Sequence, residues 1–192
     1  MKYLSRQFKQ ILIITCLLFY AGAVFAQQKP GKPSRELKNF TKVAAKANVA
    51  FLLPEGFKEI PLTDGLSFDY GISIPEQEFE IWYKVIPQNE TTPDSAYIEI
   101  GKNEAVALAG ETDFLVRGMS DRVLADYGAD AGKAYLLSLP DVAVTKHYKY
   151  ALLITLQKNN KGMVMAVCFT NEKGPDFFRK INRARNSIRF KE

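Results

Sequence analysis

The chain has 192 residues, 47% of them hydrophobic, with 26 Lys and Arg against 21 Asp and Glu. This length suits one domain with its own core, and the small charge surplus does not provide the concentrated basic surface that nucleic-acid binding needs. With one histidine and two cysteines, one of them in the apolar leader described next, the chain cannot form a structural zinc site.

Residues 1–26 have the pattern of a cleavable export signal. Three basic residues open it, Lys2, Arg6 and Lys9. An apolar run over residues 11–25 follows, and Val24 and Ala26 occupy the −3 and −1 positions of a cleavage site. We expect a mature chain that begins at Gln27, in the periplasm or outside the cell. It would carry 23 basic and 21 acidic residues, a net charge of +2.

Neither cysteine is expected to form a disulfide or a catalytic site. Cys16 leaves with the signal, so no intramolecular disulfide can form; a lipid on Cys16 is the less favoured alternative, because the residue lies in the middle of the apolar run. Cys168 could form a catalytic dyad with His147, the single histidine. The predicted pairing of their strands sets Leu156 opposite Met163 and so separates the two side chains by about 13 Å, which favours a buried, structural Cys168.

Residues 27–33 are predicted to be a flexible linker and residues 34–192 a single globular domain. The first helix spans residues 34–47, with an apolar stripe of Leu37, Phe40, Ala44 and Ala47. A short strand follows at residues 49–53. Two further strands, 68–74 and 79–85, alternate apolar with polar residues and form a hairpin through the turn at 75–78. Its register places four pairs on one face: Ile74 with Phe79, Ile72 with Ile81, Tyr70 with Tyr83 and Phe68 with Val85.

The other face of this hairpin carries the candidate ligand or partner contacts. The register sets Trp82 opposite Gly71, and Asp69 opposite Lys84 with opposite charges. We predict that Trp82 points away from the main core. In the preferred interpretation helix 34–47 covers its ring, and in the alternative the ring is an exposed binding aromatic.

Two helices are predicted next, over residues 95–109 and from a cap at Thr112 or Asp113 to Gly128. Gly101 weakens the first helix, and the second has a stripe of Val116, Met119, Val123 and Tyr127. Three strands follow, at 132–139, 146–157 and 162–170; the second is apolar on both faces and is expected to be central. Pro175 begins a last helix, with a stripe of Phe177, Ile181, Ala184 and Ile188.

Two surface features add candidate sites. The last helix carries basic residues that include Arg179, Lys180, Arg183 and Arg189. A solvated face is the preferred interpretation, and contact with anionic lipid or polysaccharide is the alternative. Asp94-Ser95-Ala96 has the form of a bacterial O-glycosylation acceptor and makes Ser95 a candidate for modification.

The predicted order, α-βββ-αα-βββ-α, indicates an α+β fold with a mainly antiparallel sheet of about six strands. Together with the phrase Leu53-Pro54-Glu55-Gly56-Phe57 at the entry to the sheet, this order resembles the PsbP-like fold over residues 49–190. That fold is shared by an extrinsic photosystem subunit and by bacterial envelope proteins. The resemblance implies a fold whose members are mostly non-catalytic, with unrelated roles.

We therefore expect an exported, non-catalytic binding or accessory protein of the bacterial cell envelope. Its partner would be an envelope protein, a polysaccharide or a small apolar ligand. No catalytic residue, cofactor or metal site is predicted, and neither is nucleic-acid binding. Two alternatives stay open: a secreted enzyme with a site of scattered carboxylates and tyrosines, and a membrane-surface protein that uses its basic C-terminal helix.

Overall fold

A seven-stranded antiparallel sheet is the framework of the protein. The computed structural model describes residues 32–62, 67–111 and 114–192, so the predicted export signal and the possible caps Thr112 and Asp113 lie outside the described residues. The strands of the sheet are β2 Lys58–Ile60, β3 Tyr70–Ser73, β4 Phe79–Pro87, β5 Phe114–Gly118, β6 Ala131–Ser138, β7 Tyr150–Lys158 and β8 Gly162–Thr170. Their spatial order is β2-β3-β4-β8-β7-β6-β5.

In the described residues, four α-helices and a small second sheet accompany this framework. The helices are α1 Arg35–Lys46, α2 Ala96–Ala109, α3 Asp121–Tyr127 and α4 Pro175–Ala184. The small sheet pairs β1 Val49–Phe51 with β9 Ile188–Phe190. The predicted α+β class with an antiparallel sheet is therefore confirmed.

Each face of the main sheet has its own core. On one face, here called the first face, the sheet packs against α1, α3, α4 and the small sheet, with Phe40, Tyr127 and Phe177 among the buried side chains. On the second face α2 packs over β6 and β7, with Ala105 and Leu108 buried. Side chains alternate between these cores along every strand, because successive residues of a strand point to opposite faces.

The predicted register of the first hairpin is confirmed within the strands. Tyr70 pairs with Tyr83, Ile72 with Ile81 and Gly71 with Trp82. The predicted continuation beyond Tyr70 is wrong, because β3 begins there.

Two residues just before β3 show where the predicted register stops. The carboxylate of Asp69 accepts the backbone N–H of Val85 at 2.7 Å, so Asp69 does not face Lys84. Phe68 packs on Trp82 at 5.7 Å between ring centroids, on the face opposite to the predicted one.

The helix predicted up to Gly128 is wrong in its first half. Residues Phe114–Gly118 form β5, the edge strand that pairs with β6, and only Asp121–Tyr127 are helical. Val116 and Tyr127 were assigned to one stripe, but they lie on different elements. The stop at Gly128 is confirmed: this residue has φ +64°, in the left-handed region that ends many helices.

The pairing of β7 with β8 differs from the prediction by one residue. Leu156 faces Val164 rather than Met163, because the tight turn holds only residues 159–161. The central strand is β8, in which all nine residues are buried, and β7 lies next to it. His147 was predicted to lie in the strand that corresponds to β7, but β7 begins at Tyr150 and His147 precedes it.

The last helix is shorter than predicted. It ends at Ala184, a 3₁₀ turn covers Arg185–Ser187, and Ile188 belongs to β9. Strand β2 was not predicted, because three residues with one exposed position give too short a pattern.

Candidate functional site

Trp82 is completely buried, with 0% of its surface exposed. It lies on the face opposite to Ile81 and Tyr83, as predicted, but α1 does not cover it, because α1 packs on the first face. Its ring contacts Phe169, at 4.6 Å between centroids, and Lys146, whose Nζ lies 5.4 Å from the ring centroid. Trp82 is therefore not an exposed binding aromatic.

A half-buried ionic cluster lies beside this indole. The Trp82 N–H donates to the carboxylate of Glu80 at 2.8 Å, and Lys146 Nζ donates to the same carboxylate at 2.9 Å. The Glu80 side chain is only 13% exposed. Burial, then the negative charge of Glu80, raises the pKa of Tyr148 well above its usual range.

The loop that presents Lys146 has a constrained backbone. Lys146 and His147 both have left-handed φ angles, +52° and +61°, which non-glycine residues adopt at a cost. His147 Nδ1 lies 2.5 Å from Asp141 Oδ1, and both of these side chains are mostly exposed. Because the Glu80 carboxylate is fully engaged by Trp82 and Lys146, the arrangement anchors the loop and provides no free general base.

The Cys168–His147 dyad does not form. The Cys168 side chain is buried on the first face, opposite Ile81 and Leu152, whereas His147 lies in an exposed loop. Burial raises the pKa of the Cys168 thiol to about 12. Within the ranges described, no three His, Cys, Asp or Glu side chains are grouped as a metal site would need.

The predicted basic residues are not all on one helix. Arg179 on α4 forms an ion pair with Asp176. Two others lie over aromatic rings, Lys180 over Phe79 and Arg183 over Phe57. Arg189 lies on β9, not on a helix, and is exposed.

Two more of the predicted site residues have simple surroundings. Lys84 pairs with Met165 inside the sheet. Burial raises the pKa of Glu104 on α2, and the positive charge of Lys84 offsets part of this rise. Ser95 is exposed immediately before α2, and its hydroxyl makes no capping hydrogen bond to the helix.

One half of the first face forms an apolar surface that sequence analysis missed. Leu115, Leu136, Leu152 and Cys168 are directly paired across β5, β6, β7 and β8. Exposure rises along this row, from 2% at Cys168, through the half-buried Leu152 and Leu136, to 65% at Leu115. The apolar row thus leaves the core and continues to the edge of the sheet without polar interruption.

Helix α4 forms the other wall of this surface. Phe178 is 51% exposed and precedes Ile181 by three residues, so both lie on one flank of α4, and Arg185 follows just after the helix. Ile181 and Arg185 line a small cavity together with residues of β4, β8 and β7, among them Ile81, Cys168 and Ile154, so this side of α4 faces the sheet. We call the surface formed by Leu115, Ala134, Leu136, Leu152 and Phe178 the open face.

The open face is a groove rather than a ready-made pocket. The cavity at its inner end has a volume of ≈ 20 Å³, room for about one water molecule. Inside it the Tyr83 and Ser187 hydroxyls are hydrogen bonded to each other at 2.9 Å. Three strands, β7, β6 and β5, span about 10 Å at the usual strand spacing, which is close to the diameter of an α-helix.

Sequence analysis missed the open face because β5 was taken for helix. With Phe114–Gly118 assigned to a strand, the exposed Leu115 and Val116 point to opposite faces of the sheet edge. An edge strand that is apolar on both faces is the signal that would have indicated this surface.

No protein-family model matches the chain, and no curated protein matches it. Among solved structures, the chain is similar to the solution structure of cyanobacterial PsbP (CyanoP) from Synechocystis sp. PCC 6803. The identity is 12%, the match covers 76% of this chain and 88% of that one, and the TM-score is 0.48. This match is to a protein of the PsbP type, the fold that the sequence was found to resemble. This likeness concerns the fold alone, so the function has to be argued from the residues of this chain.

In the described part of the chain, no helix is both long enough and apolar enough to cross a bilayer.

Proposed function

We propose that this chain is an exported, non-catalytic binding or accessory protein of the bacterial cell envelope, and that it binds a partner protein through the open face. The row from Cys168 to Leu115 carries the proposal, because its exposed end is apolar and leads directly out of the core. Contiguous exposed apolar surface is typical of sites where another molecule binds.

The dimensions favour a helical segment of a partner over a small molecule. The enclosed cavity of ≈ 20 Å³ is far below the several hundred Å³ of typical small-molecule sites. A partner helix lying on the exposed end of this row would add its apolar stripe to the layer begun by α1 and α4. Arg117, exposed on β5 beside Leu115, would favour a partner helix with an acidic flank.

An enzymatic role has less support. Two described groups with reactive chemistry are engaged or shielded: Glu80 accepts hydrogen bonds from Trp82 and Lys146, and the Cys168 thiol is buried. The predicted signal supports export, and the intact mass of the exported protein tests that part. A mass that begins at Gln27 supports signal cleavage, whereas a retained leader or a lipid mass on Cys16 contradicts it.

The partner-binding proposal can be tested by capture from an envelope extract. The double variant Leu115→Glu, Phe178→Glu places two charges on the open face, while Leu52→Glu, Val142→Glu changes two exposed apolar residues elsewhere. We expect a protein that the unmodified chain and the control retain and that the open-face variant releases. If all three baits retain the same proteins in the same amounts, the open face is not the binding site.

A further inference from the structure

The charges of this chain are divided between two parts of the fold. Residues 35–53 and 173–192 together carry 11 Lys and Arg against 3 Asp and Glu. Residues 54–172 carry 10 Lys and Arg against 18 Asp and Glu. The first two segments contain α1, β1, α4 and β9, which pack on the first face of the main sheet. We call these four elements the basic layer; the rest of the domain is acidic.

Helix α1 presents the most regular part of this charge. Four exposed cations recur at spacings of three and four residues, Arg35, Lys38, Lys42 and Lys46. They lie on one side of the helix, opposite the buried Phe40 and Ala44, so they point straight away from the protein. With a rise of 1.5 Å per residue, this line of charge is about 16 Å long.

Three of the α1 cations are also without an ion pair among the described residues. No ion pair between described residues involves Lys38, Lys42 or Lys46. On α4 and just after it, Arg179 and Arg185 are each paired with an aspartate. The three lysines of α1 therefore keep their full charge available for a partner outside the chain.

We propose that the basic layer docks on a bilayer that contains anionic phospholipid, with the α1 lysines as its main contacts. The cations are distributed over two helices and a strand within one layer, which suits a planar array of negative charges better than a single linear polymer. The acidic remainder of the domain is repelled by the same surface, so the charge separation also fixes the orientation. None of these cations belongs to the open face, and the proposal is independent of the partner-binding function.

Vesicle co-sedimentation of the chain that begins at Gln27 tests this. Vesicles of phosphatidylglycerol mixed with phosphatidylcholine serve as the anionic surface, and phosphatidylcholine alone is the neutral one. We expect binding to the anionic vesicles only. It should be lost at 1 M salt, where the screening length falls to about 3 Å, and retained at 0.1 M salt, where it is about 10 Å.

Three variants assign the binding to α1. Lys38→Gln, Lys42→Gln, Lys46→Gln should weaken binding to anionic vesicles roughly a hundredfold, because each lysine near such a surface contributes about fivefold. The corresponding Lys→Arg triple keeps the charge and should bind normally. The matched control changes three exposed lysines of the acidic part, Lys58, Lys102 and Lys149, to Gln and should also bind normally.

Several results would overturn the proposal. They are equal binding to neutral vesicles, no binding to anionic ones, or an equal loss in the control triple. Tight binding to soluble dextran sulfate that depends on the same α1 lysines, without vesicle binding, would assign the layer to a polysaccharide instead. Helical content measured by circular dichroism confirms that every variant is folded before binding is compared.

Discussion

The indole N–H of Trp82 donates a 2.8 Å hydrogen bond to the carboxylate of Glu80, two residues earlier on the same strand. Both side chains point to the second face of the sheet, and Lys146 completes the group from a distant loop. One carboxylate thereby satisfies a buried tryptophan and fixes a loop whose backbone is held in the left-handed region at Lys146 and His147.

Removal of the Glu80 charge should lower the stability of the fold. Glu80→Gln leaves the Lys146 ammonium without its anion. The Glu80 side chain is only 13% exposed, so water replaces the lost interaction poorly. We expect the free energy of unfolding in urea to fall by about 1–3 kcal/mol. Glu99→Gln, at an exposed position of α2, is the matched control and should change it by less than about 0.5 kcal/mol. Equal effects of the two changes would mean that the cluster does not stabilise the fold.

Tryptophan fluorescence should report a shielded ring. Trp82 is the single tryptophan and has no exposed surface, so acrylamide should quench the native protein weakly and the urea-unfolded protein strongly. Strong quenching in the native state would contradict the position of this ring between Phe169 and Lys146.

Cys168 should be unreactive until the protein unfolds. Its thiol is buried, and a pKa raised to about 12 keeps it protonated at pH 8. We expect a thiol reagent to label the native protein slowly and the denatured protein at the rate of a free cysteine. Fast labelling of native protein would restore the catalytic reading of this residue.

The same burial predicts a loss of stability in alkali. Because the folded-state pKa of Cys168 is raised above its unfolded value of 9.0, its contribution is complete below pH 9 and is lost as the pH rises through the folded value. The loss from this residue should be about 1 kcal/mol by pH 10. Urea unfolding at pH 8 and pH 10 measures it.

The variant Cys168→Val isolates the contribution of the Cys168 thiol to the loss of stability between pH 8 and pH 10. It has no ionisable group at this position, so its stability should fall by a smaller amount between the two pH values. Tyr127 remains in both proteins, and burial, the larger cause, raises its pKa to about 12 in each, so the comparison cancels that part; the smaller effect of the Cys168 charge on Tyr127 counts with Cys168. An identical pH dependence of the two proteins would refute the assignment to Cys168.

Gly101 should be required despite its position inside α2. A Cβ there would lie 2.7 Å from Thr155 Cγ2 and 2.9 Å from the Tyr135 hydroxyl. Helix propensity alone predicts that Gly101→Ala stabilises by about 1 kcal/mol, whereas overpacking predicts a loss of about 1–3 kcal/mol. We expect the loss. Ala107→Gly, at an exposed position of the same helix, measures the propensity effect separately.

Local patterns were sufficient for those parts of the fold that depend on neighbours in sequence. The register of Tyr70–Ser73 with β4 could be predicted because alternation and a short turn fix it together. The turn before β8 was counted one residue too long, and that single error displaced the whole β7–β8 register, including the partner of Cys168.

The errors of element type have a physical cause. Val116, Met119, Val123 and Tyr127 have helical spacing in sequence, but the first of them pairs with Tyr135 of β6, and no local pattern reveals such a pairing. The end of α4 was likewise obscured, because Ile188 continues its apolar stripe while actually pairing with Phe51. The open face depends on both of these non-local facts, so it could not be predicted.

The pairing of β1 with β9 also sets a condition on how the domain is made. Val49 lies opposite Phe190, so β1 can pair only after β9, some 140 residues later in the chain, has been translated. Such a distant contact adds loop-closure entropy and slows folding. The first helix therefore finds its final place only when nearly the whole chain is present, and a ribosome- or channel-bound fragment that lacks the last strand stays unfinished at this edge.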